Sequence, residues 1–111
     1  MDPTYQIDLD TGALTWNEAF YAQFGYATTE PVNSMEWWTS HVHPEDAMLL
    51  NNALDQLVLT TRTSWVVAYR FRKADGSYVV VTDHAAVKRD YAGNAVHLTG
   101  VLTTEPTTGT T

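Results

Sequence analysis

YRFRKADGSYVVV, residues 69–81, holds one strand, a turn and the start of a second strand. Tyr69 and Phe71 alternate with Arg70 and Arg72, the period of two that sends apolar side chains to one face of a strand and charged ones to the other. The alternation runs back through Val67 and Trp65, with Val66 and Ala68 on the opposite face. Ala74-Asp75-Gly76-Ser77 is the turn, and a DG pair between alternating runs is a strong hairpin signal because glycine readily takes a positive φ. Asp75 and Gly76 are therefore turn residues, and Asp75 is not a catalytic acid. The returning strand runs from Tyr78 to Arg89.

Working outward, Asp90-Tyr91-Ala92-Gly93-Asn94 leads to a last strand, Ala95 to Leu102. Upstream, the pattern from Pro44 is helical: Ala47, Leu50, Leu54, Leu57 and Val58 follow three- and four-residue spacing. Proline in the first turn and the acids beside it suit a helix start. A short apolar helix is expected around Met35 to Trp38. Near the N-terminus Tyr5, Ile7 and Leu9 alternate with polar residues, Asp10-Thr11-Gly12 turns the chain, and Ala13 to Trp16 returns. Asn17 is placed to cap a short helix carrying Phe20 and Phe24, and Gly25 stops it. Two strands, a block of helices and three strands make an α+β layout with an antiparallel sheet, whose helices can cover only one face. The other face must meet water or a partner. One domain is expected over residues 1–103, with 104–111 a flexible tail or a linker remnant.

Composition narrows the function. The chain has 111 residues, enough for one modest core. Thirteen acidic against six basic residues give a formal charge of -7, which repels phosphates and anionic lipid, so neither nucleic acid nor membrane contact is expected. With no cysteine there are no disulfides, thiolate nucleophiles or thiolate metal ligands. No secretory or spanning segment is visible, and a cytoplasmic location is expected.

The stretch SHVHPED, residues 40–46, places His41 and His43 two apart with Glu45 and Asp46 behind them. Imidazoles and carboxylates can ligate zinc or iron. However, the hydrolase patterns built on such a pair need residues or barrel lengths this chain lacks, and no metal site is assigned. His43 precedes Pro44 at a helix start, where its ring can cap or pack, and Asp46 is expected to meet the free N–H groups of the first turn. Ser40 beside His41 is a sequence neighbour without a nucleophile elbow, and no phosphate loop occurs. Asp83 and His84 on one strand are the only adjacent candidates for the buried acid or base that an enzyme would need. No catalytic residue is assigned.

In order, "YQIDLDTGALTWNEAFYAQFGY", "WWTSHVHPED", "YRFRKADGSYVVV" and "VKRDYAGNAVHLTGV" resemble a PAS domain, of the subgroup with HPxD before its long helix and a YR..R..DGS hairpin. The resemblance spans about Tyr5 to Leu102. It implies a five-stranded antiparallel sheet in the order 2-1-5-4-3 with helices over one face. It further implies a non-enzymatic sensor or interaction module of a signal-transduction protein, such as a sensor histidine kinase in a two-component system or a cyclic-dinucleotide enzyme. Such a module passes ligand or partner binding to an attached output domain, and it often forms a homodimer through the open sheet face. His43, Pro44, Asp46, Arg70, Asp75 and Gly76 carry the motif. Three departures stand out: GVLTTEP replaces the usual Asp-Ile-Thr ending, Val80 stands where Trp is common, and Ala68 replaces the Glu that is the usual near partner of Arg70. Arg70 is then left without that partner.

The resemblance also frames the cofactor question. The family's flavin photosensors need a cysteine for their adduct, and this chain has none. Its haem sensors place a histidine on or near the long helix, where Ala47 to Leu59 offers only Met48, and His41 and His43 lie just ahead. Haem and flavin are disfavoured, and no cofactor is assigned. The alternative to a pure relay is a receptor with a small organic ligand in an apolar cavity between helices and sheet. Its lining would be Phe20, Phe24, Trp38, Leu50, Leu54, Tyr69, Phe71 and Leu98, which fall on the inward faces.

Overall fold

The computed structural model describes residues 1–104. Its elements run β1 (Thr4–Asp8), β2 (Leu14–Trp16), α1 (Glu18–Phe24), α2 (Met35–Ser40), α3 (Pro44–Leu59), β3 (Ser64–Arg72), β4 (Tyr78–Arg89) and β5 (Ala95–Thr104). The strands form one antiparallel sheet in the order β2-β1-β5-β4-β3, as the resemblance implies. β1 thus pairs with β2, which follows it, and with β5, the last strand. β5 extends to Thr104, the first residue of the expected tail. The rest of that tail, 105–111, lies outside the described residues.

Each helix starts where the chain supplies a cap. Asn17 accepts a hydrogen bond from the Phe20 N–H, and Ser34 accepts one from the Trp37 N–H. His43 does the same for α3, its Nδ1 accepting from the Glu45 N–H at 3.1 Å. α1 ends at Gly25, whose φ of 86° gives the left-handed turn that returns its N–H to the Tyr21 carbonyl. Ala19, Phe20 and Phe24 of α1, Trp38 of α2, and Leu50, Leu54 and Leu57 of α3 are buried, while Val58, read as part of the apolar stripe, is exposed.

Tyr5, Ile7, Trp65, Tyr69, Phe71, Val81, Ala85, Leu98 and Leu102 line the inward face of the sheet and join the helical side chains in one cluster. β3 would be an unpaired edge at the end of the sheet. Residues 41–43 cover its last part: the His43 N–H donates to the Arg70 carbonyl and the Arg72 N–H to the His41 carbonyl, both at 2.8 Å. That short pairing ties the α2–α3 joint to the sheet.

Candidate functional site: a buried carboxyl between two tyrosines

Asp83 has the inward parity of Val81 and Ala85 on β4, and its exposure is 0 %. It is the only buried polar or charged side chain among the described residues. Both ion pairs among those residues belong to Arg70, so no cation compensates Asp83. Neutral donors do. The Tyr5 hydroxyl donates to Oδ1 at 2.9 Å and lies 3.2 Å from Oδ2, and the Tyr69 hydroxyl donates to Oδ2 at 2.9 Å. The Trp38 indole N–H donates in turn to the Tyr69 hydroxyl oxygen at 3.1 Å.

The two phenols arrive differently. Tyr69 stands on β3, adjacent to β4. Tyr5 stands on β1, with β5 between it and β4, so its ring must cross a strand. It does so over Gly100, its register partner, which is itself paired with Ala85 on the far side. A Cβ on Gly100 would lie 2.2 Å from the ring, so only glycine leaves room for the crossing.

Burial pushes the Asp83 carboxyl up to about 6, against the opposing pull of the Tyr69 and Tyr5 hydrogen bonds and of the nearby Trp65 indole. Burial, followed by the nearby Asp83 charge, raises both phenols well above the ordinary tyrosine value. The Trp65 indole N–H is buried and has no partner in hydrogen-bonding geometry, although it is near enough to favour the charged carboxylate. His84, the other half of the adjacent acid and base pair, is exposed on the opposite face. The pleat separates the two residues, so they form no dyad.

All eight proposed cavity residues, Phe20, Phe24, Trp38, Leu50, Leu54, Tyr69, Phe71 and Leu98, are buried in the same cluster. They pack on one another in part: Phe20 on Phe24 at 5.1 Å, Phe24 on Phe71 at 5.4 Å and Trp38 on Tyr69 at 6.5 Å between ring centroids. Asp83, which sequence parity places on the same inward face, and Tyr5 lie beside these eight, outside the lining expected from sequence. Met48 is 74 % exposed, so it offers the core no axial ligand. Among the described residues no group of three His, Asp or Glu is placed to hold a metal.

The HPED segment makes a second polar centre, and it differs from the expectation. Asp46 does not cap the first turn of α3. Its Oδ2 accepts from the Arg70 backbone N–H at 2.8 Å and from Arg70 Nε at 2.9 Å, and its Oδ1 accepts from Arg70 Nη2 at 3.0 Å. Glu45 adds a contact of 3.2 Å. Arg70 therefore does have a close partner, supplied by α3 rather than by its own strand, and a planar guanidinium meeting both carboxylate oxygens is the strong form of such a pair. The Arg70 hydrogen bonds hold the Asp46 carboxyl down at about 2. His43 packs its ring on Tyr78 at 4.9 Å, and Asp75 accepts from the Ser77 N–H at 2.9 Å in the turn where Gly76 has a φ of 88°. His41 stacks on Trp37 at 3.9 Å, with Nδ1 2.9 Å from the Trp37 carbonyl. A carbonyl only accepts, so the proton sits on Nδ1. Partial burial lowers its pKa.

An antiparallel sheet in this order, roofed on one face by helices and closed around a polar centre, defines a PAS-type α+β shell. The family model described as PAS fold matches residues 13–102, and the chain belongs to that family. No curated protein matches it. Among solved structures it is similar to the N-terminal domain of a diguanylate cyclase with PAS/PAC sensor from Marinobacter aquaeolei, with 25 % identity over 94 % of each chain and a TM-score of 0.81. It is also similar in fold to a sensory box histidine kinase/response regulator from Burkholderia thailandensis, with 20 % identity over 92 % of this chain and 75 % of that one, TM-score 0.77. A light-oxygen-voltage domain described with a flavin analogue shares the fold at 18 % identity over 96 % of this chain and 78 % of that one, TM-score 0.72.

Proposed function

We propose that this chain is a non-enzymatic sensory and interaction module that passes a change in its core or at its sheet to an attached output domain. The observation that carries the reading is the end-to-end likeness, over 94 % of both chains, to the N-terminal domain of a cyclase described with a PAS/PAC sensor. The chemistry agrees. The one buried acid among the described residues is sealed behind two phenols, beyond the reach of a substrate, and the neighbouring base faces away. Catalysis is assigned to a domain outside this chain, and the location is cytoplasmic.

The uncovered sheet face suits a second copy. Val66, Val80 and Val101 project there, exposed at 66 %, 45 % and 36 %, with Tyr78 beside them. The test is a chimera in which residues 1–104 replace the sensor of a diguanylate cyclase, together with sedimentation of the isolated domain. Val101→Glu is expected to alter cyclase output and to shift a dimer to monomer. Unchanged output and a strict wild-type monomer at high concentration would refute the relay and its interface.

The second reading is a receptor for a small organic molecule. It is favoured by the eight ring and leucine side chains gathered in one cluster between helices and sheet. A rise in melting temperature with a metabolite panel would support it, because a ligand that binds only the folded state stabilises by mass action. No rise, and nothing co-purifying by mass spectrometry, would leave the core a packed one.

A further inference from the structure

The Asp83 centre is arranged around a carboxylate that only accepts. Three oxygen–oxygen contacts lie in hydrogen-bonding range, Tyr5 to Oδ1 and Tyr69 to Oδ2 at 2.9 Å and Tyr5 to Oδ2 at 3.2 Å. With the carboxylate ionised, the two phenol protons fill the two shorter ones. Protonating Asp83 adds a third hydroxyl proton, which either takes the longer contact to Tyr5 or displaces a phenol proton from a shorter one, while Trp38 already gives its N–H to Tyr69. Either way the carboxyl turns from acceptor to donor, and the bonds around it rearrange. We propose that Asp83, Tyr5 and Tyr69 form a buried proton switch: uptake of one proton by the carboxyl rearranges the phenol hydrogen bonds and alters the Tyr69–Trp38 link that joins β3 to α2.

The geometry makes the change consequential. The cluster joins β1 through Tyr5, β3 through Tyr69, β4 through Asp83 and α2 through Trp38, so one proton is felt across the sheet and in the helical layer. The titratable groups bearing on Asp83 are Tyr5 from β1, Tyr69 from β3 and His84 from the outer face of β4. β5 presents Leu102 and β3 presents Val67 as its register partners, neither charged. Burial without a cation favours the neutral carboxyl and the phenol hydrogen bonds favour the charged one, which places the titration at about pH 6. The switch is a property of this domain by itself and does not rest on any output domain.

The test is NMR of the intact chain, following the Asp83 carboxyl carbon and the indole N–H resonances of Trp38 and Trp65 against pH. The expected result is one midpoint at about 6 for all three, and loss of that transition from both indoles in Asp83→Asn. His84→Gln separates the neighbouring imidazole and should leave the transition in place. Tyr5→Phe provides a second variant should Asp83→Asn not fold. Removing a donor that favours the charged form should move the Asp83 midpoint up. An Asp83 midpoint near that of a free aspartate, indoles that do not follow it, or a Tyr5→Phe midpoint unchanged from wild type would each overturn the switch.

Discussion

Gly100→Ala is expected to be among the most damaging single-methyl changes in this domain. The new Cβ would sit 2.2 Å from Tyr5 Cε2 and Cζ and 2.5 Å from its hydroxyl oxygen. Carbon atoms rest about 3.5 Å apart, so the ring must retreat by more than about 1 Å. Tyr5 donates to Asp83 at 2.9 Å, and that retreat carries it out of hydrogen-bond range. Overpacking costs about 1–3 kcal/mol, and a lost hydrogen bond to a charged group costs about 1.5–3 kcal/mol. The sum, about 4 kcal/mol, is a large share of the roughly 5–15 kcal/mol that holds a domain together. The assay is urea unfolding followed by tryptophan fluorescence, in a double-mutant cycle with Tyr5→Leu. Leucine lacks all three clashing atoms, so in that background Gly100→Ala should lose less than about 1 kcal/mol. A small loss in the wild-type background, or additive losses in the cycle, would refute the crossing of Tyr5 over β5.

Two further outcomes follow from the two polar centres. Asp83 has a folded pKa of about 6 against 3.8 for the free group, so the unfolded chain releases its proton first as pH rises, and folding takes up a proton between those values. The contribution of Asp83 is therefore greatest below pH 3.8 and declines by about 3 kcal/mol as pH rises through 6. The wild-type and Asp83→Asn stability curves, measured by urea unfolding from pH 3.5 to 7.5 (an interval chosen about those two values), should converge on the acid side and separate on the neutral side; parallel curves would contradict the assignment. Asp46 has the opposite sign. Its pKa falls from 3.8 to about 2, so its pair with Arg70 stabilises above 3.8 and fades as pH drops towards 2. The Arg70 side chain stays 38 % exposed, and solvent screening reduces the effect to about 1 kcal/mol, to be read as the loss in Asp46→Asn at pH 7. No loss there would mean the pair adds nothing beyond backbone contacts.

Much of the fold is legible because its signals are local. Period-two alternation gives β3 and β4 almost to the residue, Pro44 marks the start of α3, and the DG turn gives the hairpin between the strands. The polar centres are less legible because their partners are remote. Parity alone sends Asp83 inward with Val81 and Ala85, a signal the residues do contain. Nothing in the sequence of β1, however, says that the Tyr5 ring will span a whole strand to meet a residue 78 positions later. Asp46 and Arg70 stand 24 positions apart, and their pairing depends on how residues 41–43 dock on β3, a register that no periodicity encodes. The eight lining residues could be read as inward, but whether such side chains leave room for a guest depends on their rotamers, not on their pattern.

The crossing of Tyr5 over Gly100 also bears on how the chain is made. Of the five strands of this sheet β1 leaves the ribosome first, yet its second neighbour, β5, leaves last, and the carboxyl that holds its phenol comes only shortly before. At roughly 5–20 residues per second, Tyr5 and Ile7 wait several seconds with only the short β2 beside them. The domain is thus sealed from its C-terminal end, and a nascent chain halted before Gly100 would present an unfinished apolar face to chaperones.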